Sequence, residues 1–164
     1  MPTKTGILVI RHGREAWKVT NTARMAPHLL PSCTLVDYGM PGPAFDEPRL
    51  REPRTWLLFP EGEPPAEGEE LPEQLVVLDG SWQQARRMMQ RIPELRGMPR
   101  LSLAKPVLER RAMRKQVLED GMSTLEAIAA AVAFLEGEEK GEALFRFNDL
   151  WVKRALSLRE KVEE

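Results

Sequence analysis

The stretch Leu75-Val-Val-Leu-Asp-Gly-Ser-Trp-Gln-Gln-Ala-Arg-Arg-Met-Met89 decides how this chain folds. Its first four residues are continuously apolar, the pattern of a strand covered on both faces in a parallel sheet. Asp79 and Gly80 then turn the chain. Ser81, followed three residues later by Gln84, has the two ends of a capping box, so a helix begins at Trp82. From there Trp82, Ala85, Met88 and Met89 recur at helical spacing, with Arg86, Arg87 and Arg91 on the other side. A strand, a tight turn and a capped helix make the βα unit of an open α/β sheet. Ligands of such sheets gather beyond the carboxyl ends of the strands, near helix N-termini. Asp79 stands at such a place. An Asp-Gly pair also serves as plain turn chemistry, and the local pattern by itself favours that simpler role.

Working outward, four more β-like runs appear: Gly6–Ile10, Thr34–Tyr38, Thr55–Phe59 and Arg100–Leu103. With Leu75–Leu78 they predict a mainly parallel sheet flanked by helices, an α/β fold in a single domain over residues 1–164. Ala16–Leu30 reads as a helix that Pro27 ends or kinks. Ser123–Leu135 reads as a strong helix, with Ser123 and Glu126 as a second capping box and Gly137 as its stop. Its alanine-rich stretch, Ala127–Ala133, lets another backbone or a flat ligand come close. Glu142–Val162 reads as a long amphipathic terminal helix. Met40–Pro53 and Pro60–Pro72 are rich in proline and glycine, and are expected to be exposed, mobile loops.

Composition narrows the function classes. Cys33 is the one cysteine, so neither a disulfide framework nor a multi-cysteine zinc site can form within the chain. The apolar run Gly6–Ile10 is too short for a secretory signal, and no segment approaches the roughly 18 apolar residues of a membrane span. A cytoplasmic protein is expected, and a monomer, since no second long apolar stripe is left over. The net charge of −1 hides an uneven distribution. Six glutamates and no Lys or Arg lie between Glu61 and Glu73, whereas Arg86–Lys115 is rich in Arg and Lys, opposed only by Glu94 and Glu109. That basic region, with Arg86, Arg87, Arg91, Arg96, Arg100, Arg110, Arg111, Arg114 and Lys115, fits a polyanion surface. Aromatic residues around it are sparse, so a base-stacking platform is not expected. Leu8-Val-Ile-Arg-His-Gly-Arg-Glu15 resembles the strand-end Arg-His-Gly motif of histidine phosphatases. Such enzymes need a second, late histidine, and after His12 the chain has only His28.

Several blocks, in order, resemble the DTW-domain family. Leu78-Asp-Gly-Ser-Trp82 is similar to its Asp-x-Thr-Trp signature, with Ser81 for threonine. Asn21-Thr22 resembles its Asn-Thr-Gly step, with Ala23 for glycine. Leu58-Phe-Pro60 resembles its Leu-Phe-Pro turn, Met113-Arg-Lys115 its Leu-Arg-Lys block, and Ser123-Thr-Leu-Glu-Ala127 its helix start. His12-Gly-Arg-Glu15 resembles its His-Pro-x-Glu, with Gly13 for proline. The resemblance implies a SPOUT-like fold with a C-terminal knot, and S-adenosylmethionine as group donor without a metal. It also implies transfer of the 3-amino-3-carboxypropyl group to uridine N3 in tRNA. Methylation of RNA from the same donor, or RNA binding without catalysis, are the alternatives. On this reading Asp79 is the base and Trp82 packs beside the reacting rings. Leu58, Phe59, Pro60, Gly80, Ser81, Met122, Ser123, Thr124 and Leu125 line the cofactor, and Arg86, Arg87, Arg114 and Lys115 contact RNA. Many family members carry a cysteine-rich zinc module ahead of the His-Pro-x-Glu block. This chain lacks those cysteines; if the module helps to grip RNA, this protein must bind differently or use another substrate.

Overall fold

Strand side chains alternate between two faces, and here both faces are apolar. In Gly6–His12 (β1), Ile7 and Val9 enter one core cluster while Leu8 and Ile10 enter another, and all four are buried. Gln74–Asp79 (β4) divides likewise, Leu75 and Val77 against Val76. The computed structural model describes residues 1–18, 21–61, 63–103 and 123–163. Cys33–Tyr38 (β2), Thr55–Leu58 (β3) and Arg100–Leu101 (β5) complete a five-stranded, wholly parallel sheet in the order β2-β1-β4-β3-β5.

The chain leaves β1 in one direction across the sheet and leaves β4 in the other. Right-handed crossovers then put the two connections on opposite faces. From β1 to β2 it runs through the 3₁₀ turn Thr22–Met25 and the short helix Ala26–Leu29 (α1), packed with Ile7 and Val9. From β4 to β5 it runs through Trp82–Arg91 (α2) and Pro93–Arg96 (α3), packed through Met88, Ile92 and Leu95 on Leu8 and Ile10. The gap between the carboxyl ends of β1 and β4 is therefore the switch point, where open α/β sheets bind ligands.

Thr124–Glu136 (α4) and Glu138–Glu163 (α5) cover the α1 face, through Leu125, Ile128, Val132, Leu144 and Phe145. The alanine-rich stretch of α4 receives the backbone of α5. A Cβ on Gly141 would lie 2.4 Å from Ala133 Cβ and 2.8 Å from Ala129 O, so only glycine permits the approach. Glu136 ends α4, where the helix dipole disfavours an anion. It is stabilised there by Lys140 Nζ at 2.8 Å and by the Thr5 N–H at 2.7 Å, which ties the start of β1 to α4. Burial alone raises the Glu136 carboxyl, but these hydrogen bonds outweigh it and leave it below its ordinary value of 4.5. Burial pushes the Cys33 thiol up to about 12, so it stays protonated and unreactive.

The structure departs from the expected elements in three places. Ala16–Leu30 is not one helix but a 3₁₀ turn capped by Asn21, followed by α1. Pro27 lies in the first turn of α1, where its missing N–H costs nothing, instead of ending a helix. The segment 40–53 is not simply an exposed loop. Its 3₁₀ turn Pro48–Arg51 drives Leu50 into the core, with Glu47 buried as the cap. The terminal helix starts at Glu138, four residues earlier than expected. The expected knot depends on the path between β5 and α4, which lies outside the described residues. No helix among the described residues is long and apolar enough to cross a membrane.

Replacing Gly141 by alanine should overpack the α4–α5 contact and cost about 1–3 kcal/mol in urea unfolding. Glu136→Gln should lower stability at pH 7 by roughly 1 kcal/mol, since a charge-assisted bond becomes a neutral one. Because the folded carboxyl is depressed, the wild-type advantage is complete above pH 4.5 and is lost as pH falls through the lower folded value. Unfolding curves of both proteins should therefore converge in acid; a gap independent of pH would refute the assignment.

Candidate active site

At the switch point three strands set a row of charges side by side. Arg11 of β1 is in register with Asp37 of β2 on one side and Asp79 of β4 on the other. The Arg11 guanidinium holds Asp37 in a bidentate pair, Nε–Oδ1 2.7 Å and Nη2–Oδ2 3.1 Å. The Asp37 hydrogen bonds, and at longer range the charge of Asp79, raise the Arg11 pKa above its ordinary value against the opposing effect of burial.

Asp79 is only 5% exposed. Asn21 Nδ2 donates to its Oδ2 at 2.6 Å, and the Thr124 hydroxyl donates to its Oδ1. Asn21 also caps the 3₁₀ turn after β1, its Oδ1 accepting from Arg24 N at 3.3 Å. Thr124 is the first residue of α4. The carboxylate thus joins β4, the β1–β2 crossover and α4. These donors take one lone pair on each oxygen, so each oxygen keeps further accepting capacity.

Both sequence-predicted capping boxes are formed, but their serines differ. Ser81 Oγ accepts from Gln84 N at 3.2 Å and keeps its own proton for donation, with the residue exposed. Ser123 Oγ accepts from Glu126 N at 3.3 Å and also donates to Asn148 Oδ1 at 3.1 Å, so its proton is already committed inside the fold. Thr124, having donated to Asp79, can still accept. Gly80 is needed between strand and cap. A Cβ there would lie 2.8 Å from Gln84 Oε1, the atom that accepts from Ser81 N, and 3.4 Å from His12 Cβ. His12 itself accepts from Arg14 N through Nδ1 at 3.3 Å.

On the other rim, Phe59 and Trp82 stack with centroids 5.5 Å apart and planes 17° from parallel. Arg100 lies 5.1 Å over Phe59 and Arg86 lies 5.2 Å over Trp82. Trp82 is 48% exposed, so it does not anchor its helix in the core; it belongs to a four-residue cation–aromatic column. Two aromatics thus stand against arginines of the basic region. Sparse in sequence, they come from the residue after β3 and the first residue of α2, and meet only in the fold. Glu61 pairs with Arg86 at 3.1 Å, with both side chains more than half exposed, a contact worth about 0–1 kcal/mol.

The other expected site residues divide plainly. Leu58 is half-buried, Pro60, Gly80 and Arg87 are exposed, and Pro60 O accepts from Ser102 Oγ at 3.2 Å. Leu125 is fully buried in the core. Met122, Arg114 and Lys115, like the rest of the second basic cluster, lie outside the described residues. Sequence reasoning gave no site role to Arg11, Asn21 or Asp37. An arginine at the end of an apolar strand was the available signal for the first. The family model for the DTW domain matches residues 1–156, and the chain belongs to that family. No curated protein and no solved structure matches the chain.

Gly80→Ala should displace Gln84 and open the α2 capping box. The expected cost is about 0.5–2 kcal/mol in chemical unfolding, with α2 amides exchanging faster with solvent than those of α4.

Proposed function

We propose that the protein transfers the 3-amino-3-carboxypropyl group of S-adenosylmethionine to uridine N3 in tRNA, as membership of the DTW family implies. The supporting observation is convergence. Asn21, Asp79 and Thr124 come from three separate family-like blocks and meet side chain to side chain at the switch point.

The residues present suit the donor. Beside the buried Asp79 carboxylate, Ser81 and Thr124 keep a donor and an acceptor for polar groups of the ligand. Leu58, Phe59, Pro60, Gly80 and Ser81 would line it, with Thr124, the backbone of Ser123 and Leu125, and Met122. When bound, the donor would supply a sulfonium centre: attack on the γ-carbon of its 3-amino-3-carboxypropyl chain breaks the bond from that carbon to sulfur and releases methylthioadenosine. Asp79 takes the N3 proton of uridine as general base. Asn21 and Thr124 hold its carboxylate in one orientation, which matters because positioning alone selects the propyl carbon over the methyl. Trp82, about half exposed, packs beside the reacting rings. Arg86 and Arg87, with Arg114 and Lys115, contact RNA phosphates; the weak Glu61 contact yields to them. The C-terminal half is threaded as the SPOUT-like knot, and the enzyme works in the cytoplasm.

Two labelled forms of S-adenosylmethionine test this, one labelled in the propyl carbons and one in the methyl, each incubated with the protein and unmodified tRNA. Label in RNA from the propyl carbons alone is expected. Methyl label would make the protein a methyltransferase, and label from neither, with RNA still bound, would leave a binding module. Asp79→Asn should keep donor binding while lowering transfer by about 100-fold or more. A fully active variant would remove Asp79 as the base.

A further inference from the structure

Trp17 is the most exposed large apolar side chain among the described residues, at 80%. A loop indole ordinarily folds back onto the protein, because leaving it in water forfeits its burial energy. Here the indole stands in water, on a loop whose backbone is tied down on both sides of it. Arg24 Nη2 donates to Ala16 O at 3.2 Å and to Lys18 O at 2.9 Å, bracketing Trp17 from both sides. Lys18 O also accepts from Asn21 N at 3.1 Å, and Lys18 N donates to Glu15 O at 3.1 Å. The loop is therefore fastened in a shape that holds the indole outward.

The fastening leads to the active site. Arg24 N bonds Asn21 Oδ1, and Asn21 Nδ2 bonds Asp79. The same asparagine thus orients the proposed base and anchors the Trp17 loop. Trp17 follows β1 and Trp82 follows β4, so the two exposed tryptophans leave the two strands that form the switch point. The chain neighbours of Trp17 are cationic: Arg14 and Lys18 are both exposed, with Glu15 paired to Lys18 at 2.8 Å. A lone indole beside cations matches the chemistry of an unpaired nucleotide, whose base stacks while its phosphates meet positive charge.

We propose that Trp17 is a second RNA-binding site: a stacking platform for an unpaired base of the substrate RNA near the modified uridine, with Arg14 and Lys18 on the adjoining phosphates. This rests on the reading of the protein as an RNA-modifying enzyme. Its position on the β1 side would let it grip RNA from the rim opposite Trp82, Arg86 and Arg87.

The test uses the full chain and unmodified tRNA. Binding is measured by filter retention for wild type, Trp17→Ala, Trp17→Phe and Arg14→Ala, with donor binding followed separately by calorimetry. Trp17→Ala is expected to weaken tRNA binding about 10- to 100-fold and to raise the KM for tRNA, leaving kcat and donor binding unchanged. Trp17→Phe should recover most of the loss, because stacking needs a flat ring. Arg14→Ala should flatten the salt dependence, which Trp17→Ala should leave alone. Unchanged tRNA affinity in Trp17→Ala while wild type binds well would overturn the platform alone. So would a loss that phenylalanine fails to restore, or one seen only in self-association by sedimentation. Absence of tRNA binding by wild type would instead overturn the RNA reading, and the platform with it.

Discussion

A buried carboxylate must have its hydrogen-bonding capacity met inside the fold, because water no longer meets it. Asp79 is that group, and much of the architecture around the switch point follows from its needs. Its two side-chain donors come from residues 58 and 45 positions away along the chain. Its nearest strand neighbour in register is the cation Arg11, which is itself steadied by Asp37. Moving any one of these elements would strand a charge away from water. The same requirement explains why Asn21 caps a 3₁₀ turn instead of sitting inside a longer helix: its side chain is needed at both the turn and the carboxylate.

The sheet separates two tasks. On one face, small residues let α4 and α5 lie close, and the interior is sealed by packing of Ala129, Ala133 and Gly141. On the other, α2 offers its inner side to the core through Ala85 and Met88 and turns its arginines outward. The carboxyl edge, where the faces meet, gathers the polar groups that a reaction can use. Stacking Phe59 on Trp82 adds rigidity worth about 0.5–1.5 kcal/mol beyond burial and gives Arg86 and Arg100 a fixed backing.

Strands β1, β3 and β4 were legible because each is a short apolar run covered on both faces, a signal that needs no partner to be read. The boundaries of α2 were legible for a similar reason: its cap, its spacing and its arginine-rich side all lie within eleven residues, Ser81 to Arg91. Reading failed where distant groups decided the outcome. Ala16–Leu30 read as a helix, but Asp79 and Arg24 hold that segment through Asn21 and the Ala16 and Lys18 carbonyls. Leu50 looked like part of a loop because a single apolar residue among prolines carries no period. The site residues Asp79, Ser81 and Thr124 were reached through a local turn, a cap and a family likeness. Arg11 and the Phe59–Trp82 stack depend on strand register, which no local pattern encodes.

The strand order has a consequence for how the protein is born. Strand β1 lies between β2 and β4, and its Leu8 and Ile10 are covered by residues of α2 and α3. A ribosome adding about 5–20 residues per second makes those partners on the order of 3–15 s after β1 has been made. Throughout that interval the nascent chain carries one of its most apolar segments uncovered on one face and unpaired on one edge. No hairpin can shorten the wait, since every pairing in the sheet is parallel. The glutamate-rich stretch between Glu61 and Glu73 is made just before β4, so a segment charged with one sign directly precedes the central strand as it emerges.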